Sequence, residues 1–292
     1  MKQMFVLMAA ALGFSTFSAC ASAPVTPQST MSRDSALSVL RTATTHQFVG
    51  YWDGWQKNNL SATPSGVTVV PVAFAYLHGH DIVLSEISPG FVTAADIASL
   101  HSRGIAVTIS IGGASPKNAF SFDGNVAGFQ ASLASLLSSL PFDGVDLDDE
   151  SGTESSRVSD LTTLIPAARA EFNTLHMPSA IVTYPAWNRP KDNGDATILA
   201  NASVAAALSW VNVMSYEHTN VAATEGDVAA YGKIFDKARL MLGVDISDKP
   251  VMPNTSLASL SSWVGTNGYG GIMAWTVNGI TPAQVQAITG GF

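Results

Sequence analysis

Eight runs of β-forming residues, separated by segments of helical period, constrain this chain more than any other feature. The runs are Phe48–Trp52, Val69–Leu77, Ile105–Ile111, Gly144–Asp148, Ala180–Tyr184, Trp210–Tyr216, Leu240–Ile246 and Gly271–Trp275. Between them Val126, Phe129, Leu133, Leu136 and Leu140 step by threes and fours, as do Val158, Leu161, Ile165, Ala168 and Phe172. Val228, Tyr231, Phe235 and Ala238 repeat the pattern. Thr93 with Asp96, and Thr224 with Asp227, read as helix starts, and Thr281-Pro282 puts proline at a first helical position. Eight alternations of strand and helix predict an α/β chain, a single (β/α)8 TIM barrel without a large insertion domain. The connection from Trp55 to Thr68 is short and polar, so its helix is expected to be absent or vestigial. Asp34 to Ala43 is expected to form a helix closing the barrel bottom.

The fourth run continues into acid: Phe142-Asp143-Gly144-Val145-Asp146-Leu147-Asp148-Asp149-Glu150. On a strand, Asp146, Asp148 and Glu150 share one face at a spacing of about 6.5–7 Å, while Val145 and Leu147 point into apolar packing. Carboxylates crowded on one face repel, so at least one is expected to hold its proton near neutrality. A protonated acid beside ionised partners is what cleavage of a glycosidic bond requires. Glu150 is therefore the candidate general acid. Barrel chemistry sits at the carboxyl ends of strands, which is where Asp148 and Glu150 fall. A calcium loop counted from Asp146 would need Gly at its sixth position and Glu at its twelfth, but Ser151 and Arg157 stand there. A solvated acidic loop does not account for the alternation of Val145 and Leu147.

Asp143-Gly144-x-Asp146-x-Asp148-x-Glu150 resembles the signature of the family-eighteen glycoside hydrolases, the chitinases and endo-β-N-acetylglucosaminidases. Ser110-Ile111-Gly112-Gly113, closing the third run, is similar to that family's Ser-x-Gly-Gly motif, and small residues there let the backbone pass close to the acidic strand. Gly50-Tyr51-Trp52 resembles bacterial chitinases. The resemblance implies that Tyr51 and Ser110 hold Asp146 in place and that Asp146 shares a proton with Asp148. Met214-Ser215-Tyr216-Glu217 matches Met-x-Tyr-Asp except at Glu217, which is one methylene longer than the usual Asp. By the same resemblance Tyr216 donates to the substrate's acetamido group and Trp275 stacks on the sugar at subsite −1. Trp52, Trp55 and Trp187 lie near strand ends and are candidates for flanking stacking faces. Asn188, Arg189 and Asp245 are polar groups at loop starts.

The implied chemistry is substrate-assisted hydrolysis with retention, an exception among two-carboxylate glycosidases. Asp148 lies on the same face as Glu150, too near to attack the opposite side of the sugar, so the acetamido oxygen takes that role. No cofactor and no metal are called for. Chitin and chito-oligosaccharides compete as substrates with the core of N-linked glycans: Tyr51-Trp52 and Trp275 favour a chitinase, Asp149 an endo-β-N-acetylglucosaminidase. Ser247 to Gly270 leaves little room for an insertion walling the groove, so a shallow cleft and internal cutting are expected. An inactive glycan-binding barrel is a third reading, and the presence of Glu150 argues against it.

The net charge of −8 disfavours nucleic acid as a partner. His78 and His80 form a His-x-His pair without convincingly placed further ligands. There is no Gly-x-Ser-x-Gly elbow, phosphate loop or dinucleotide fingerprint. Residues 1–23 read as a secretory signal peptide: Lys2, an apolar stretch from Met4 to Phe17, then small residues to Ala23. Phe17-Ser18-Ala19-Cys20 also resembles a bacterial lipoprotein site. Lipid anchorage at Cys20 and plain cleavage after Ala23 both stay open. The expected location is secreted, or periplasmic and anchored to the outer membrane. Cys20 is the only cysteine, so no disulfide forms within the chain. Residues 24–31 read as a Pro/Ser/Thr linker and 32–292 as the catalytic barrel, expected to be a monomer.

Overall fold

The computed structural model describes residues 46–292, apart from 56–58, 85–86, 88, 115–119, 151, 217 and 248–250. The expected signal peptide, Cys20, the linker, the helix at Asp34–Ala43 and Glu217 lie outside the described residues.

The eight expected strands are present: β1 (Gln47–Gly50), β2 (Val69–Gly79), β3 (Ala106–Gly112), β4 (Gly144–Asp148), β5 (Ile181–Trp187), β6 (Trp210–Met214), β7 (Leu240–Asp245) and β8 (Gly271–Trp275). Each pairs in parallel with its neighbours in chain order. β1 closes the ring, pairing with β8 along its length and with β2 through Val49 and Val69. Around the barrel run α1 (Ala94–His101), α2 (Val126–Ser139), α3 (Glu154–Thr174), α4 (Asp195–Ala200), α5 (Ala202–Ala207), α6 (Val221–Tyr231), α7 (Asn254–Asn267) and α8 (Pro282–Thr289). This is a (β/α)8 barrel, and among the described residues no large insertion domain interrupts it. Between β1 and β2 the described residues hold only the short strand Trp52–Asp53 and a 3₁₀ turn, Leu60–Ala62.

Local chemistry explains most boundaries. Thr93 and Asp96 cap α1 reciprocally, and Thr281 with Gln284 does the same for α8, whose first residue is Pro282. The expected start at Thr224 is wrong: Asn220 caps α6 through Ala223 N, and Thr224 sits inside the helix with its hydroxyl on the Asn220 carbonyl. α6 stops at Tyr231, so the later members of its periodic pattern belong to other structure, Ala238 to a 3₁₀ turn. β5 runs three residues past its expected end at Tyr184, because Pro185 stays in register opposite Asn212.

Alternation along the strands makes two cores. Outward residues such as Val70, Val72, Ile109, Val145, Leu147 and Val182 pack under Phe129, Leu133, Leu161 and Leu164 of the helices. Fully burying each such side chain contributes about 1.5–3 kcal/mol. Inward residues Val49, Val69, Ala106, Ile181, Met241 and Met273 fill the barrel.

Candidate active site

Parallel strands place all eight carboxyl ends at one mouth. On β4 the two faces separate as the alternation requires. Asp146 and Asp148 point inward and are buried, while Val145 and Leu147 join the outer core. Asp143, the first acid of the run, serves the fold: its Oδ2 accepts from Val107 N and lies within hydrogen-bond distance of His101 Nε2, both at 2.7 Å.

Ser110, Asp146 and Thr183 stand abreast on β3, β4 and β5. Asp146 Oδ2 accepts from Tyr51 at 2.8 Å and Ser110 at 2.7 Å, and Oδ1 from Thr183 at 2.6 Å and Asn212 at 3.4 Å. Asn212 also donates to the Tyr51 oxygen at 3.1 Å, which ties the cage together. Burial raises the Asp146 pKa, and the four donors oppose that rise by favouring the anion. Among the described residues no hydrogen bond joins Asp146 to Asp148. The reason is that donors already occupy both oxygens of Asp146, and a carboxylate has only about four lone-pair sites.

Asp148 Oδ1 is buried without a hydrogen-bond partner among the described residues. Burial, then the charges of Glu150 and Asp146, hold the Asp148 carboxyl well above the usual range. Glu150 is pushed up to about 7, chiefly by burial and further by Asp149, with Arg157 acting in the opposite direction. At neutral pH this pair therefore retains a proton, as expected from the sequence, but burial is a larger cause than the crowding of acids. Tyr216, two residues past β6, donates to Met273 Sδ at 2.9 Å. Its hydroxyl stays protonated, because burial and then the charges of Asp148 and Glu150 raise its pKa well above the ordinary value.

Gly112 and Gly113 bring the end of β3 close against the acidic strand. A Cβ on Gly112 would lie 1.9 Å from the Asp148 carbonyl oxygen, and Gly113 N donates to that oxygen at 2.8 Å. Gly113 is closed off on its other side by the Phe74 ring.

Trp275 ends β8 and stacks on Phe74, with centroids 5.7 Å apart and planes 15° apart. Trp55, 41% exposed, lies 6.1 Å from both rings. Tyr51 meets Trp275 at 5.9 Å. Trp52, expected beside them, is buried in the layer between barrel and helices. Its side chain points to the opposite side of the barrel wall and offers no stacking face. Trp187 and Met214 pack on the inner core near the mouth. Asp245 ends β7 close enough for its charge to act on Tyr216, and its Oδ1 accepts from Ser247 N at 3.0 Å. Arg189 is an exposed neighbour of Asp192.

Thr183, Asn212, Phe74 and Arg157 belong to this site and carry no motif. For Asn212 a signal exists: an amide between valines in the centre of a strand fits neither core nor sheet propensity.

The family model described as Glycosyl hydrolases family 18 matches residues 47–249. This chain belongs to that family. It is a glycoside hydrolase. The family 18 match stops short of β8, so Trp275 takes its place in the site from the structure alone. Solved structures agree in fold. The protein named Chitinase A from Streptomyces coelicolor is 20% identical, covers 85% of this chain and 98% of its own, and superposes with a TM-score of 0.70. A GH18 chitinase from Pseudoalteromonas aurantia gives 18% identity, coverage of 84% and 100%, and a TM-score of 0.69. A mutant class V chitinase from Nicotiana tobaccum in complex with NAG4 gives 16%, 85% and 100%, and 0.67. At such identities the likeness speaks for the fold alone. Among the curated proteins none matches.

Proposed function

We propose that this family 18 enzyme hydrolyses β-1,4 linkages at N-acetylglucosamine with retention of configuration, acting as an endo-chitinase. The observation that carries the reading is the pair at the barrel mouth: Glu150 raised to about 7, beside an Asp148 oxygen that lacks a donor among the described residues. Glu150 protonates the glycosidic oxygen as that bond to the anomeric carbon breaks. The acetamido oxygen forms the new bond to the same carbon, and Asp148 accepts the acetamido N–H as an oxazolinium develops. Tyr216 orients the acetamido carbonyl. Water then adds to the anomeric carbon, giving its proton to Glu150, and the acetamido group is restored. Two inversions at one carbon leave the product in the β configuration. Asp146, caged by four donors, stays beneath as a fixed negative charge.

Chitin is favoured over N-glycans because the Trp55, Phe74 and Trp275 platform suits a run of like sugars, each with an apolar face. In the sequence, Asp149 is the feature that leans toward N-glycans. It is 2% exposed, so its identity bears on packing rather than on contact with a glycan. Internal cutting follows from the short segment joining β7 to β8, with α7 as its one helix among the described residues. The neighbours solved with NAG4 or (GlcNAc)4 support oligomers of this sugar as ligands. Export through the signal at residues 1–23 and action as a monomer are part of the proposal.

Incubation with chito-oligosaccharides and with a high-mannose glycopeptide tests it. The proposal expects cleavage of the oligosaccharides, with products of mixed length early in the digest. Cleavage of the glycopeptide alone, or early release of disaccharide only, would overturn it.

A further inference from the structure

Arg157 lies on the first turn of α3 with its residue surface 2% exposed, and every arm of its guanidinium is engaged. Nε donates to the Asp149 carbonyl at 2.8 Å, Nη2 to the Pro185 carbonyl at 3.2 Å, and Nη1 to the Asn193 carbonyl at 2.8 Å and Asp195 Oδ1 at 2.6 Å. Asp195, itself fully buried, accepts at Oδ2 from Trp187 N at 3.0 Å and from the Tyr231 hydroxyl at 2.8 Å. The hydroxyl of Tyr231 is also 2.6 Å from the Trp187 carbonyl. One buried ion pair thus grips two adjacent strand ends. The residue it holds on β4's extension directly precedes Glu150, and on β5 it holds both Pro185 and Trp187. Such a pair costs desolvation that its own attraction barely offsets, so stability alone is a weak reason for it to be there.

We propose that the Arg157–Asp195 pair is a positioning device for the reaction, fixing Glu150 at a set height against Trp187 at the mouth. The proposal rests on the functional reading above, and it assigns a role to groups that touch no substrate. A planar fork with donors on three nitrogens is needed, because the acceptors lie in different directions; a lysine ammonium spans fewer of them. The cation has a second effect. Among the described residues, the charged or titratable groups facing Glu150 are Asp148 and Asp149 beside it, Arg157 from α3 and Tyr216 beyond β6. Arg157 is the only cation among them, and it favours the ionised form of Glu150.

Two variants separate geometry from charge. Arg157→Lys keeps the cation and loses the fork. Its kcat on a chito-oligosaccharide is expected to fall about 10–100-fold with KM little changed, the scale of a small misplacement of a catalytic group. The double variant Arg157→Gln/Asp195→Asn removes both charges and so leaves no Asp195 carboxylate stranded without its cation. Carbon-13 NMR of its labelled glutamates, with Glu150→Gln as the assignment reference, is expected to show the Glu150 titration moving upward by on the order of one pH unit. In Arg157→Lys that titration stays in place. The NMR readout uses no substrate, so it stands even if the wild-type enzyme cleaves neither substrate, an outcome that would sink the functional reading instead. Wild-type kcat in Arg157→Lys, or an unmoved Glu150 titration in the double variant, would overturn the proposal.

Discussion

The hydroxyl of Thr183 stands 2.6 Å from Oδ1 of Asp146, directly across the β4–β5 pair. It is the shortest of the four hydrogen bonds to a carboxylate that is completely buried, so its loss is felt mainly by the anion. Thr183→Val keeps the shape and removes the donor. The expected cost in urea unfolding at pH 7 is about 1–3 kcal/mol. That cost should shrink in acid, where Asp146 takes up a proton and needs the donor less. A variant equally destabilised at pH 7 and pH 4 would speak against an ionised Asp146.

Two glycine substitutions should act in opposite directions. Gly112 has φ +117° and no space for a Cβ against the Asp148 carbonyl, so Gly112→Ala strains the backbone and forces β3 away from β4. Gly226 is exposed within α6, where an added methyl would meet nothing within 4 Å and the backbone has no such φ. Gly226→Ala should raise stability by about 0.5–1 kcal/mol. Thermal unfolding of both variants compares them, and a stable Gly112→Ala protein would refute the close approach of these two strands.

Much of this site is legible in the sequence because period-two alternation alone sorts β4 into acid and apolar faces. The strand count is legible for the same reason, each barrel strand being a short run of β-formers between helical repeats. Contacts between distant strands are not. Thr183 and Asn212 reach Asp146 through barrel register, which no single strand encodes. Phe74 looks like any core residue within the apolar β2 run, and its pairing with Trp275 depends on ring closure between β1, β2 and β8. Trp52 misleads in the opposite sense: one residue of alternation after Tyr51 sends it to the other side of the wall. Arg157 signals in the sequence only that a calcium loop does not fit, because its partners gather from the residue after β4, from β5, from the loop before α4 and from the start of α4.

Glu150 should lower stability where it is ionised. Its pKa rises on folding from 4.5 to about 7, so between those values the folded state binds more protons than the unfolded one. Stability then falls as pH rises through this window, by on the order of 3 kcal/mol in total, and the loss is complete above pH 7. Glu150→Gln should accordingly be more stable than wild type at pH 8 and nearly equal to it at pH 4. Its activity should fall by at least about 10²–10⁴-fold with loss of the general acid. Denaturation at the two pH values, together with turnover, checks both. A variant less stable than wild type at pH 8 would mean that the Glu150 charge is welcome in the fold.

Trp55 offers a test of the aromatic platform with little structural risk. It is 41% exposed and stacks at the edge of Phe74 and Trp275. Trp55→Ala should raise KM for long chito-oligosaccharides several-fold, in line with about 0.5–1.5 kcal/mol for an aromatic contact, and leave kcat nearly unchanged. Steady-state kinetics across oligomer lengths would show it, and an effect confined to kcat would place Trp55 elsewhere in the reaction.

The central claim is that the substrate's own acetamido oxygen forms the intermediate, with Glu150 as acid and then as base. Proton NMR of the anomeric signals during the first turnovers on a chito-oligosaccharide measures its stereochemical consequence before mutarotation. The account predicts that the new reducing end appears as the β anomer. An initial α anomer would mean direct attack by water and a separate base, and would contradict it.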